Sequence, residues 1–226
     1  MNIIDFAILF IMAVSMLIGM YNGFVLSSLH AASFFISWLA SVILYPVISK
    51  TILKMYPSLL QIITLYAEGS VHIPNVEDKQ ANLANFTVDR VTQIVEQAQL
   101  PNPFSKILIS DFSKPLEGIS TLGEYFDSTI AIVIINIISL LLLFLLIKLV
   151  FIFVVSIYKT THDLPVLKKY DSAAGAGIGA IRGIFILYFI FALVPILLVL
   201  APTQIINEFI AGSKLAGFFH YSNIFT

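Results

Sequence analysis

The chain has 226 residues, of which 59% are hydrophobic and only 11% are charged, and its mean hydropathy is +0.98. A soluble domain carries about 25% charged residues, so lipid must solvate much of this apolar surface. The net charge of −1 provides no basic run of the kind that nucleic-acid binding needs. The absence of cysteine excludes disulfides and thiolate metal sites. The composition therefore predicts an integral membrane protein.

Four apolar stretches are long enough to cross a bilayer as helices, which takes about 20 residues each. They are residues 3–20, 24–48, 129–150 and 183–201. Unbroken apolar runs of this length satisfy their backbone hydrogen bonds in lipid only as helices. We therefore predict an all-α membrane protein with four transmembrane helices.

The spacing of these spans predicts two hairpins. Only residues 21–23 separate the first two spans, which gives one hairpin over residues 1–48. The last two spans give a second hairpin over residues 129–201, with a loop at 159–171.

Residues 49–128, between the two hairpins, have a different composition. They contain six of the twelve Lys and Arg residues and nine of the thirteen acidic residues, for a net charge of −3. Leu83 to Leu100 repeats apolar residues at helical spacing, and Pro101 and Pro103 follow it. The pattern predicts an acidic, amphipathic-helical insertion outside the membrane, with little core of its own. The tail, residues 202–226, reads as short amphipathic turns.

The charges of the short loops predict the orientation. Lys159, Lys168 and Lys169 lie between the last two spans, and positive loops stay in the cytoplasm. The N-terminus, the insertion and the C-terminus are then outside. Lys50 and Lys54, just beyond the second span, weakly favour the opposite arrangement.

Glycines four residues apart occur at two places that this topology puts on the cytoplasmic side. The first place is Gly19 and Gly23, followed by Phe24, and the second is a run of glycines at positions 175, 179 and 183. Such pairs lie on one helix face and let another backbone approach closely. Ordinary helix packing explains them, and a pseudo-symmetric core of the kind found in transporters is the alternative.

Charged residues lie near the ends of the predicted spans. Lys148, Arg182, Lys168 and Lys169 are predicted to anchor the helices at the membrane interface and to bind lipid phosphates there. For Arg182 this holds if its helix starts at Gly183, whereas a start at residue 172 would place the arginine about 15 Å along the helix. Asp5 and Asp171 are predicted as acids that stabilise helix N-termini.

Polar residues also follow one side of the second span. His30, Ser33, Ser37 and Ser41 are spaced by three and four residues, and Asn136 lies in the third span. Hydrogen bonding between helices explains such a stripe, and a wet path between the hairpins is the alternative.

No hydrolase, metalloprotease or phosphate-loop signature occurs in the sequence, so we predict neither catalytic residues, nor a metal, nor a cofactor. The expected partner is the lipid bilayer. A homo-oligomer and an envelope or export protein bound to residues 49–128 are further possibilities, and no nucleic acid is expected.

The order of these motifs resembles the colicin V production (CvpA-like) family. The matching segments are N-I-I-D-F at the start, the Gly19–Gly23–Phe24 turn, the run D-x(3)-G-x-G-x-G-x-x-R-G from Asp171 to Gly183, and the tail from Gly212 to Asn223. One departure is Asn22, where the family usually has arginine. The resemblance implies a multi-pass protein of the bacterial cytoplasmic membrane, linked with toxin production or export and envelope homeostasis, and implies no catalytic residue.

Two functions follow as hypotheses. The first is a non-enzymatic membrane protein that supports export or envelope integrity. The second is a small channel or transporter component with a path lined by serine and histidine.

Overall fold

The computed structural model describes residues 2–113, 118–161, 170–200, 210 and 212–221. Within these residues the regular secondary structure consists of helices. One isolated bridge joins Asn82 and Thr121 within these residues. Lys168 and Lys169, two of the predicted anchors, lie outside the described residues. The prediction of an all-α protein is therefore confirmed for the part described.

The helices are numbered in chain order. They are α1 Ile3–Met55, α2 Pro57–Ala67, α3 Val76–Gln80, α4 Val88–Ala98, α5 Phe104–Asp111, α6 Leu122–Thr161, α7 Asp171–Phe191, α8 Val194–Leu200 and α9 Ala216–Tyr221, with short 3-10 turns at Gly69–His72 and Leu83–Asn85.

Three stretches of the described residues are long and apolar enough to cross a membrane: Ile3–Met55, Leu122–Thr160 and Asp171–Leu200. The sequence predicts four such spans. The difference arises because the first two predicted spans both fall within α1.

Helix α1 is broken at Gly23, in the predicted turn. Gly23 has φ 72° and ψ 179°, which is not helical and which a side chain would disfavour. The hydroxyl of Ser27 donates to the carbonyl oxygen of Gly19 at 3.1 Å. In a straight helix, residues eight apart are separated by about 12 Å along the axis, so the chain bends back sharply at Gly23.

Helices α6 and α7 are longer than the sequence predicts. Helix α7 begins at Asp171 rather than at residue 183, and α6 begins at Leu122 rather than at residue 129. Low hydropathy of alanine and glycine favours a start at residue 183, whereas the observed helix agrees with the alternative start near residue 172. The helix that contains the last predicted span therefore begins at Asp171.

The contacts divide the chain into two compact units. Unit 1 comprises residues 1–45, 139–193 and 205–225, and unit 2 comprises residues 46–138, 194–204 and 226. The first predicted hairpin ends at residue 48, three residues after the first division, whereas the predicted insertion ends at residue 128, ten residues before the end of the central segment of unit 2.

Unit 2 has an apolar core, contrary to the expectation that the insertion has little. Its α4 is the amphipathic helix that the sequence predicts, capped by Thr87, whose hydroxyl accepts a hydrogen bond from the Arg90 amide. Fully or almost fully buried side chains come from α4, α5 and the start of α6: Val91, Ile94, Val95, Phe104, Leu108, Leu122, Tyr125, Phe126 and Ile130. Leu122, Tyr125 and Phe126 belong to the predicted insertion, and only Ile130 belongs to the third predicted span. Composition alone does not show that residues of three separate helices pack together.

Polar contacts also stabilise unit 2. The buried Tyr125 hydroxyl donates to the Leu108 carbonyl oxygen at 2.7 Å. The Asp127 carboxylate accepts a hydrogen bond from the Ser70 amide at 2.6 Å, close to Gly69, where an added Cβ would come 2.9 Å from the Phe126 carbonyl oxygen.

The α4 core gives a matched pair of substitutions. Val91 is 0% exposed and Val88, one helical turn earlier, is 45% exposed. We expect Val91→Ala to lower the free energy of unfolding by about 2 kcal/mol, because it leaves a cavity, and Val88→Ala to lower it by less than about 0.5 kcal/mol. Chemical denaturation of the full chain in micelles measures both, and equal effects would contradict a core at α4.

Candidate functional site

Unit 1 is built on a direct backbone contact between α1 and α7. Gly175, Gly179 and Gly183 form one buried face of α7. A Cβ added to Gly19 would overlap the Gly175 carbonyl oxygen and come 2.9 Å from the Gly179 Cα. A Cβ added to Gly179 would overlap the Ser15 carbonyl oxygen. The two helices therefore touch where only glycine allows it.

The order of contacts shows how these helices run. Gly183 meets Met12 and Ser15, Gly179 meets Ser15 and Gly19, and Gly175 meets Gly19 and Gly23. The residue numbers in α1 rise as those in α7 fall. Helix α7 is therefore antiparallel to the part of α1 that precedes Gly23. The two glycine motifs singled out in the sequence thus contact each other.

Asp171 holds the break in α1. Its carboxylate accepts a hydrogen bond from the Phe24 amide at 3.1 Å, and a Cβ on Gly23 would overlap this carboxylate. The Ser172 hydroxyl donates to the Met20 carbonyl oxygen at 3.3 Å. Asp171 lies in the first turn of α7. The Phe24 amide that donates the hydrogen bond, however, belongs to the part of α1 that begins after Gly23. An N-terminal amide of that helix is satisfied in the way an N-cap side chain would satisfy it.

Asp5 ties the tail of unit 1 to the start of α1. This carboxylate is completely buried, and one oxygen accepts hydrogen bonds from the Ser213 hydroxyl at 2.6 Å and the Leu215 amide at 3.0 Å. Its other oxygen accepts from the Asn2 amide at 2.9 Å. The sequence predicts Asp5 as a helix-start acid but gives no sign of its partners, since Ser213 is 208 residues away.

A second face of α7 borders a cavity of about 460 Å³, which we call the basic cavity. Arg182 contributes from α7, Lys148 from α6 and His30 from α1. Six apolar side chains complete its lining: Phe34, Phe144, Leu145, Ile152, Ile186 and Phe189. The structure therefore brings together three basic residues that the sequence places in three separate segments.

Lys148 is well supported in the basic cavity. Its ammonium donates to the His30 carbonyl oxygen at 3.0 Å and to the Ser33 hydroxyl at 2.6 Å, and it lies 5.6 Å from the centre of the Phe34 ring. The ring face adds a cation–π attraction.

Arg182 is less well supported. Its Nε is buried and has no hydrogen-bond partner among the described residues. Because α7 begins at Asp171, Arg182 lies about 16 Å along the helix rather than at its start.

The hydroxyls of the serine stripe donate within their own helix, and that of Ser33 also accepts from Lys148. The hydroxyls of Ser33, Ser37 and Ser41 donate to the carbonyl oxygens of His30, Ser33 and Ser37, at 2.8, 2.6 and 2.6 Å. All three serines are buried. Asn136 belongs to unit 2, where its side-chain oxygen accepts a hydrogen bond from Ser49 at 2.5 Å.

Long apolar helices, a glycine-mediated helix contact and a basic cavity define the chain as a helical membrane protein. Among the described residues, no group of histidine and acidic side chains is placed to hold a metal ion. The chain belongs to the family described as Colicin V production protein, whose sequence model matches residues 107–223, just over half of the chain. No curated protein and no solved structure matches the chain significantly.

The family match confirms the resemblance seen in the sequence and shows its extent. It includes the run from Asp171 to Gly183 and the tail motif, whereas Asp5, Gly19 and Gly23 precede it. The N-terminal motifs are nevertheless the structural partners of the matched ones, as the contacts of Gly175 with Gly19 and of Asp171 with the Phe24 amide show.

Glycines 179 and 177 provide a test of the helix contact. A Cβ on Gly179 would overlap backbone, whereas a Cβ on Gly177 would meet nothing within 4 Å. We expect Gly179→Leu to destabilise the protein by about 3 kcal/mol or more because it forces the helices apart, and Gly177→Leu to change stability by less than about 1 kcal/mol. The measurement is the unfolding temperature of the full chain in micelles, and similar temperatures for the two variants would disprove a tight contact at Gly179.

Proposed function

We propose that the chain crosses the bacterial cytoplasmic membrane four times, as two hairpins with both termini outside. The break at Gly23 supports two spans within α1, because each part is long enough to cross a bilayer. The antiparallel contact of the first part with α7 supports their crossing in opposite directions. The lysines between the last two spans support a cytoplasmic loop at that point.

A reporter fused at Asn102, between α4 and α5, tests this topology. Asn102 is exposed, so a fusion there leaves the core of unit 2 intact. We expect alkaline phosphatase at this position to be active and green fluorescent protein to be dark, because the insertion lies outside the cytoplasm. The reverse pattern would invert the proposed orientation.

We further propose that the protein acts without catalysis, by supporting toxin production or export or the homeostasis of the envelope. Membership in the colicin V production family supports this class of function. The observation that carries the mechanism is the core of unit 2, because a folded, acidic unit provides a defined surface for a partner. The glycine contact of unit 1 then acts as the scaffold that holds the membrane helices.

The exposed face of α4 is the part of that surface that we assign to the partner. Asp89 and Glu96 are both exposed on this helix, whereas Val91, Ile94 and Val95 are buried. The exposed carboxylates suit a partner with a basic surface, since complementary charge guides association.

The alternative function, a small channel or transporter component, has less support. Its predicted path depends on serine hydroxyls that are buried and bonded to carbonyl oxygens of their own helix. Asn136, the residue predicted to extend the path, belongs to unit 2.

Charge reversal on α4 tests the proposed function. In a bacterial strain that lacks this protein and produces colicin V, we expect the double variant Asp89→Lys, Glu96→Lys to lower secreted toxin or detergent resistance at least about fivefold, since like charges then face the partner. The control is Gln93→Lys, Gln97→Lys, which adds two lysines to exposed positions of the same helix without removing the acids. Immunoblots of the membrane fraction correct for protein level, and full activity of the double variant would refute a partner site on α4.

A further inference from the structure

The basic cavity has an unbalanced charge. Arg182, Lys148 and His30 all line it. None of the described residues that line the cavity is acidic. Most of the lining is apolar, and cations in apolar surroundings are costly unless an opposite charge accompanies them. The arrangement therefore favours an anion at this position.

Arg182 indicates what kind of anion fits. Its guanidinium carries five donors in a planar fork, which matches the oxygens of a phosphate, and its Nε is buried without a partner among the described residues. Lys148 uses two of its three donors on His30 and Ser33 and retains one. Arg182 and Lys148 thus offer two positive charges together with the Arg182 Nε–H and the third Lys148 N–H as hydrogen-bond donors. These suit a group with one or two negative charges and several acceptor oxygens.

The walls of the cavity indicate how such a group arrives. Leu145 and Ile152 border the cavity and are 56% and 49% exposed, on a helix that is apolar enough to cross a membrane. The cavity therefore adjoins a surface that lipid chains cover. Phenylalanine and aliphatic side chains line the rest of it, and its volume of about 460 Å³ exceeds what a phosphate group alone fills.

We propose that the basic cavity binds a phosphate group through Arg182 and Lys148, with the apolar lining holding the chain to which the phosphate is attached. The shared chemistry is a phosphate with free acceptor oxygens, either on a lipid headgroup or as a free ion. The apolar lining distinguishes the two sources, because only a lipid uses it.

Thermal unfolding of the purified full chain in maltoside micelles tests the site with defined probes. Dioleoyl phosphatidic acid supplies phosphate and chains, dioleoylglycerol supplies the same chains without phosphate, and inorganic phosphate supplies the ion alone. We expect phosphatidic acid to raise the melting temperature saturably, because a ligand that binds the folded state stabilises it. Dioleoylglycerol is expected to have no such effect.

Variants then assign the effect to the cavity. Arg182→Gln removes the guanidinium, and we expect its half-saturating concentration of phosphatidic acid to rise at least about tenfold, since hydrogen bonds to charged groups are strong. Arg182→Lys keeps the charge but loses the fork, so an intermediate value is expected. Lys54→Gln is the matched control, because it removes a cation from an exposed position that does not line the cavity.

The outcomes separate the sources. Stabilisation by phosphatidic acid alone, lost in Arg182→Gln, identifies a lipid headgroup. Saturable stabilisation by inorganic phosphate with the same dependence on Arg182 identifies a free phosphate. Equal responses of the unaltered protein to phosphatidic acid and dioleoylglycerol, without a response to inorganic phosphate, would overturn the proposal even if Arg182→Gln does not fold. An unchanged half-saturating concentration in a folded Arg182→Gln would overturn it as well.

Discussion

The contact between the backbones of Gly19 and Gly175 is the constraint on which unit 1 depends. Within lipid there is little hydrophobic gain from helix association, so close van der Waals packing must hold the helices together. Glycine allows this close packing at the positions where a Cβ would meet the backbone of the other helix. The same closeness brings Asp171 to the Phe24 amide, where its carboxylate satisfies the start of a helix that Gly23 interrupts. The bend in α1 at Gly23 and the close approach of α7 therefore lie next to each other.

That contact also orients the other face of α7. Gly183 packs against Met12 and Ser15, and Arg182 is its immediate neighbour in the chain. One residue corresponds to about 100° around a helix, so the arginine is turned away from the glycine face. Ile186 and Phe189 follow it at helical spacing and line the same cavity. The glycine contact therefore fixes the direction in which Arg182 leaves α7, although the arginine is not part of that contact.

The sequence predicts the features that depend on local pattern and misses those that depend on distant partners. Apolar runs and glycine spacing predict the helices and the turn at Gly23, and the order of four short motifs resembles the family that the sequence model matches. The start of α7 at Asp171 agrees with the alternative start near residue 172, which hydropathy disfavours because small residues carry little of it, although they pack tightly. The contact of Asp5 with Ser213 and the meeting of His30 with Lys148 join residues 208 and 118 positions apart, and no local pattern encodes such pairs. The composition of residues 49–128 does not indicate the core of unit 2, because that core forms from side chains of three helices, α4, α5 and α6.

Arg182 lies well inside α7 and not at its start. An arginine near the end of a span reaches the membrane surface with its long side chain and needs no partner within the protein. Here the helix continues for eleven residues before the arginine, and the Nε is buried among side chains that are mostly apolar. The adjacent contact of Gly183 fixes the backbone at this position when the helices pack, so an anion does not have to order the backbone. Ordering the arginine side chain still costs about 0.5–1.5 kcal/mol, which the hydrogen bonds to the proposed phosphate must exceed.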